Sequence, residues 1–342
     1  MKIMVLGGSG HIGKKLLDSL RSTSWAEPVG ASRAAREQGH PGAGNADWVS
    51  VDTTDVSALT AALQGFDVVV NCVAGDARSI SEGARALVQA ARAANCPRIV
   101  HLSTMAVYGP VEGIVHEDAP LDPSLGWYGR AKCEAETQIG DFVRQGGEAV
   151  VLRPGCVFGP GSELWVGRVA RWLQAGRLGD LGVAGDGWSN LVNVGDVCQA
   201  IVGSLRLPVV PGELPIFNLA APDSPRWNDY FVDLALALNA TPVRRIGPHQ
   251  LRLDAWLAGP ALKTAQRTVK YLRMKNAIVP DPMPPGLLRL WAQHIHLDAS
   301  SATQTLELAW TPYAMGLQSS VGWFCGSASS DGRAIAETVC TP

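Results

Sequence analysis

The chain carries no excess of either charge. Twenty-nine Lys and Arg stand against 31 Asp and Glu, for a formal net charge of −2. No basic footprint therefore points to nucleic acid or to an anionic membrane surface. It has no apolar run long enough to span a bilayer. "MKIMVLGG" passes from Met1 straight into an apolar run and a glycine cluster, without the small-residue cleavage site of a signal peptide. No internal repeat is found. The seven cysteines are odd in number, and neither a CxxC nor a zinc-type Cys/His spacing occurs. The expectation is reduced, mostly buried thiols in a cytoplasmic protein with no metal. Tyrosine and phenylalanine are scarce, at five and six, while tryptophan is abundant at eleven. Core packing is the default reading for each tryptophan, with pocket lining the alternative.

What the chain does have is a rhythm. With 342 residues, 46% of them hydrophobic, it can bury one large core or two smaller ones. Apolar runs at 2–6, 28–32, 47–51, 67–72, 98–103 and 148–154 read as strands. Between them lie helical patterns: Ile12, Leu16, Leu17 and Leu20 mark one face, residues 55–63 and roughly 80–94 form two more, and another holds Tyr128. Such alternation predicts an α/β fold, a Rossmann-type doubly wound parallel sheet covered on both faces. After residue 161 the rhythm breaks. A strand near 214–220 is expected to complete the sheet of a 1–161 dinucleotide-binding domain. Residues 162–324 form a smaller, mostly helical substrate lobe, and 325–342 a loosely held tail.

"GGSGHIG" at 7–13 follows the first strand and opens the first helix. Gly7, Gly10 and Gly13 permit a tight turn and close approach to a pyrophosphate, which the helix N-terminus attracts; His11 and Ile12 complete the candidate set. About twenty residues further on, an NAD site usually has an acid for the ribose 2′-hydroxyl. No acid occurs between Val29 and Arg36. Ser32, Arg33 and Arg36 suit a 2′-phosphate instead, so NADP is preferred over NAD.

Tyr128 and Lys132 in "YGRAK" stand i and i+4, on one helix face. A phenol with a pKa of about 10 is a poor acid–base group at neutral pH until a nearby ammonium favours its phenolate. Thr104, with Ser103, ends a predicted parallel strand, where such sheets bind ligands; its hydroxyl would orient a substrate oxygen. Tyr108 lies nearby but lacks a lysine four residues on. His116, Glu117 and Asp118 read as a solvated loop, with gating the alternative. "HIHLDAS" at 294–300 reads as a strand with both histidines pointing one way.

In order, "GGSGHIG", "VDTTD", "NCVAG", "STMAVYG", "YGRAK" and "LRPGCVFGPG" resemble the extended short-chain dehydrogenases/reductases, which include the NAD-dependent epimerases/dehydratases. The resemblance covers about residues 1–220 and is looser beyond, although "LELAWTPYAMGLQSSVGWF" at 306–324 is similar to the family's closing segment. It implies Tyr128 as acid/base, Lys132 as its partner and ribose anchor, and Thr104 as the assisting hydroxyl. It places Asp52 at the adenine and Ala74 and Pro154 along the cofactor, and it implies a homodimer.

The match fails where nucleotide-sugar members hold a diphosphate. Cys156 stands at their asparagine and Ser189 at their arginine. Losing charge-assisted hydrogen bonds, each worth about 1.5–3 kcal/mol, disfavours a diphosphate, while Trp127, Trp165 and Trp188 suit a less polar small molecule. The leading expectation is an NADP-dependent carbonyl reductase or alcohol dehydrogenase with a non-nucleotide keto or hydroxy substrate. A nucleotide-sugar epimerase or dehydratase with tightly bound NAD is the alternative, and a non-enzymatic dinucleotide sensor is the third.

Overall fold

Strand residues that are apolar on both sides dictate a sheet buried on both sides. In the computed structural model, which describes residues 1–33, 48–122, 124, 126–271 and 279–330, seven strands run parallel, five of them buried along most of their length and the two at one edge more open. They are β1 (Lys2–Leu6), β2 (Glu27–Ser32), β3 (Trp48–Ser50), β4 (Val68–Asn71), β5 (Arg98–Leu102), β7 (Glu148–Pro154) and β10 (Ile216–Leu219), in the order β10-β7-β5-β4-β1-β2-β3. This is a Rossmann-type sheet. The chain goes outward from β1 to β3, then crosses back to β4 on β1's other side. The switch point between β1 and β4 is where such sheets bind ligands.

Alternation along each strand divides the core. Ile3, Val5, Val68 and Val70 face α1 (His11–Arg21), α6 (Val194–Arg206) and α11 (Ser300–Thr305) through Leu16, Leu20, Ile201 and Ala302. Met4, Leu6 and Val69 face α2 (Val56–Ala62), α3 (Ala77–Ala93) and α4 (Trp127–Arg144) through Leu59, Leu87, Ile139 and Phe142. Each fully buried aliphatic side chain contributes about 1.5–3 kcal/mol. Asp55 and Asp76 cap α2 and α3 by accepting the backbone N–H of Ala58 (3.0 Å) and Ser79 (2.7 Å), so both helices begin where the sheet's mouth requires.

The remaining elements form an aromatic lobe. Trp172 of α5 (Arg168–Gln174), Trp227, Tyr230 and Phe231 of α7 (Trp227–Ala237) and Trp291 of α10 (Pro285–Ala292) are fully buried and pack ring on ring. Helix α8 (Pro248–Leu253) adds the buried Leu251 to this cluster, and α9 (Gly259–Tyr271) follows it in the chain. Two short parallel pairs join lobe to sheet: β8 (Cys156–Phe158) with β9 (Leu191–Asn193), and β6 (Gly113–Val115) with β11 (Ile295–Leu297).

Helix α12 runs Tyr313–Ser330, past residue 325 where the sequence suggests the start of a tail; residues 331–342 lie outside the described residues. Tyr313, Leu317, Val321 and Phe324 form the helix's apolar stripe against the lobe, and the small residues that follow continue the helix without a proline to end it.

Candidate active site

The glycine loop is built for close approach. Gly7 sits at φ +74°, and a Cβ there would lie 2.8 Å from the Cys72 carbonyl oxygen; one on Gly13 would lie 2.3 Å from the Gly7 oxygen. Only glycine fits either position. The Gly10 N–H donates to the Gly7 carbonyl (2.9 Å), and α1's own bonding starts with Lys14 N–H to the Gly10 carbonyl (2.9 Å). The amides of residues 11–13 therefore have no partner inside the helix, as at any helix start. His11 Nε2 is buried without a partner, and burial lowers that imidazole's pKa to about 4, so it is neutral at neutral pH. A cradle of this shape, with unused donors at the switch point, fits a dinucleotide pyrophosphate.

The Tyr128–Lys132 pair stands at the same mouth. Lys132 is 3% exposed, and its Nζ donates to the Leu102 carbonyl (2.7 Å) and to the Val73 carbonyl (3.4 Å). Val73 directly follows Cys72, whose carbonyl closes on Gly7. Lysine and glycine loop thus rest on adjacent residues at the end of β4. Tyr128 is half-buried, packed against the small apolar cluster of Ile80, Ala84, Ala131 and Ala135 and edge-on to the exposed Trp127 at 5.8 Å. Thr104 caps the turn Met105–Tyr108, its hydroxyl accepting the Ala106 N–H (3.2 Å). A Cβ on Gly129 would lie 2.8 Å from the Ala106 oxygen, so this glycine, one residue after Tyr128, lets α4 close on the Thr104 turn.

At the other end of the cradle, Asp52 and Asp76 have carboxyls held below the usual range. The bonds from Thr54 and from Ser79 do most of this, and the charges of Arg33 and Arg78 add to it. Those two arginines therefore lie within electrostatic reach of both acids. Ser32 is half-buried and Ala74 exposed; Pro154 ends β7 beside Leu219. Arg36 lies outside the described residues.

The proposed substrate residues divide. Cys156 and Trp165 are 2% and 8% exposed and share one apolar cluster with Met105 of the threonine turn; burial pushes the Cys156 thiol well up. Trp188 is engaged elsewhere, stacked on His296 at 4.5 Å and under Arg226 at 4.7 Å. Ser189 is fully buried and bonded to Ser224 Oγ (3.0 Å) and the Pro225 carbonyl (2.6 Å).

Sequence reasoning missed a buried network behind the site. Arg153 Nε and Nη2 grip both oxygens of Glu136 (3.0 and 2.7 Å), while Nη1 donates to the Tyr108 hydroxyl and the Glu117 carbonyl (each 2.9 Å). Tyr108 in turn donates to Asn218 Oδ1 (2.6 Å), whose backbone N–H donates to Glu117 Oε1 (2.8 Å). Burial opposes the Arg153 charge, but the bonds to Glu136 and its charge outweigh it and the pKa rises. Glu117, expected in a solvated loop, is part of this network, and His116 pairs with Asp298 at 3.3 Å. The position of Glu136, one turn beyond Lys132, was the signal available for it. Among the described residues no group of three His, Cys, Asp or Glu could hold a metal ion, and no helix is long and apolar enough to cross a membrane.

Sheet, glycine loop and Tyr/Lys pair together define a nicotinamide-dinucleotide enzyme of the short-chain dehydrogenase/reductase type. Residues 3–220 match the NAD dependent epimerase/dehydratase family, and the chain belongs to it. A Streptomyces protein described as 3-diazoavenalumate denitrifying reductase is 30% identical over 294 residues, covering 78% of this chain and 91% of the relative. Among solved structures, MoeE5 in complex with UDP-glucuronic acid and NAD aligns over 96% of this chain and 100% of its own, at 19% identity and a TM-score of 0.71. UDP-glucose 4-epimerase from Thermotoga maritima covers the same shares at 19% identity and a TM-score of 0.70.

Proposed function

We propose that this enzyme is an NADP-dependent oxidoreductase acting on a small keto or hydroxy substrate without a nucleotide diphosphate. The observation that carries the reading is the Lys132 ammonium resting on the Val73 carbonyl, next to the residue that packs on Gly7. Cofactor cradle and acid–base pair thereby share one mouth. A bound nicotinamide supplies or accepts the hydride. Tyr128 gives a proton to the substrate oxygen or takes one from it, Lys132 favours the phenolate by its charge, and Thr104 orients the oxygen.

Two features support a non-nucleotide substrate. Ser189 and Cys156 are buried and occupied with the lobe's own packing, and the cluster reaching the threonine turn is aromatic. The Streptomyces relative is a reductase whose named substrate is not a nucleotide sugar. Turnover is expected with NADPH and a panel of aromatic and aliphatic ketones and aldehydes, and none with UDP-glucose or UDP-glucuronic acid. Epimerisation of either sugar nucleotide without net cofactor consumption would overturn the reading.

Arg33 and Arg78 support NADP. A 2′-phosphate bonded by an arginine gains about 1.5–3 kcal/mol, roughly tenfold or more in affinity. By fluorescence titration NADPH is expected to bind more tightly than NADH, and Arg33→Ala to remove most of the difference. Equal affinities in the unaltered protein would refute the clamp.

A further inference from the structure

His101 is fully buried at 1% exposure in the middle of the sheet, and the chemistry described so far leaves it unused. Its neighbour in register across β4–β5 is Asn71. Asn71 Oδ1 accepts the Val73 N–H (3.1 Å), which leaves its amide nitrogen facing His101 Nδ1 at 3.1 Å. An amide nitrogen only donates, so Nδ1 is the acceptor and the ring proton sits on Nε2. The asparagine thereby fixes both the tautomer and the charge state of the ring. His101 and Ser103 project from the face of β5 on which α4 lies, one on each side of Leu102, whose side chain faces the opposite cluster. Lys132 Nζ binds the Leu102 carbonyl between them. His101 Nε2 and Ser103 Oγ, both buried, have no partner.

Both carbonyls that hold Nζ therefore depend on this imidazole. One belongs to the next residue in the chain, and the other to the Val73 turn, which Asn71 fastens while Asn71 is itself fastened by His101. We propose that His101 is a positioning residue: as a neutral Nε2–H imidazole it locks the two carbonyls that place the Lys132 ammonium, and through them sets the ionisation of Tyr128. The proposal rests on the Tyr128/Lys132 reading above. The surroundings keep the ring neutral. Burial first, and the Lys132 charge second, drive its pKa well below the usual value. The Cys72 thiol, which packs on the opposite face of the sheet, is itself pushed up to about 12 by burial, and the Glu136 carboxylate is held by Arg153. The register partner on β7 is Val151, and the buried α3 residues facing the sheet are apolar.

The test is a tyrosinate titration of the full chain by ultraviolet absorbance, with the Tyr128 contribution taken as the difference from Tyr128→Phe. His101→Phe is expected to raise the Tyr128 midpoint by about one pH unit or more, a tenfold change in the ionisation constant. His101→Gln, which keeps an acceptor for the Asn71 amide, is expected to restore most of it. An unchanged midpoint in His101→Phe overturns the proposal, even with a lowered melting temperature, because packing alone would not move the ionisation. Should His101→Phe fail to fold, nitrogen-detected NMR of the unaltered protein decides. A neutral Nε2–H ring throughout about pH 5 to 9 supports the proposal, and an Nδ1–H ring or an imidazolium overturns it. If the unaltered protein shows no Tyr128 ionisation below that of an ordinary phenol, the parent reading fails. A low midpoint that His101→Phe leaves in place refutes only the role of His101.

Discussion

Tyr128→Phe is expected to lower turnover by about 10²- to 10⁴-fold, the range a positioned proton donor or acceptor contributes, while cofactor affinity changes little. The asymmetry follows from where the parts sit. The proposed pyrophosphate cradle is made by Gly7, Gly10, Gly13 and the start of α1, whereas the phenol stands on α4. The ring packs against the small apolar cluster between α3 and α4, a packing that phenylalanine keeps. Steady-state turnover, read beside a dinucleotide titration, separates the two effects. Near-normal turnover would mean that another group moves the proton, and Tyr108 is not that group. Its hydroxyl is fixed between Arg153 and Asn218, and burial raises its pKa.

The second large effect concerns stability. Arg153→Met removes one half of a buried ion pair whose partners are 3% and 6% exposed. The Glu136 carboxylate would remain in the interior without its two bonds, and breaking such a pair from one side costs about 3–5 kcal/mol. Replacing both partners by apolar residues of similar size should recover much of that loss, because no orphan charge then remains. The measurement is denaturant unfolding of Arg153→Met, Glu136→Leu and the double variant. Single variants as stable as the unaltered protein would show that the carboxylate finds solvent or a proton without difficulty. Activity should fall alongside stability, since Glu136 lies one turn from Lys132 and Arg153 also holds Tyr108, the last residue of the threonine turn.

How much of this could be read from the residues alone divides along a physical line. The sheet was legible because a strand buried on both sides carries a short continuous apolar run, as "IMVL" in β1 and "VVV" in β4 do. The cradle was legible because tight turns leave glycine few substitutes, and Tyr128 and Lys132 because a helix fixes what four residues apart means. The illegible part is made of partnerships across long stretches of chain. Ser189 finds Ser224, Trp188 finds His296, and Arg153 finds Glu136 only once the fold is assembled. The pattern at Arg153 reads equally well as an ordinary strand end. His101 reads as one more strand residue until Asn71 is known to stand opposite it. Thr104 stands two residues beyond the end of β5, a place that is a matter of topology before it is one of contacts.

The lobe is inserted into the sheet domain instead of being appended to it. After β9 the chain returns to lay α6 on α1 and β10 on β7, then leaves again for the second half of the lobe. A family member cannot exchange its lobe for a relative's by one recombination event, because a single crossover would separate the edge strand from the strand it pairs with. At least four junctions are needed, after β7, before α6, after β10 and before α11, because the chain leaves the sheet twice and returns to it twice. A protein engineer swapping lobes between relatives meets the same constraint, which a point substitution within the aromatic cluster avoids.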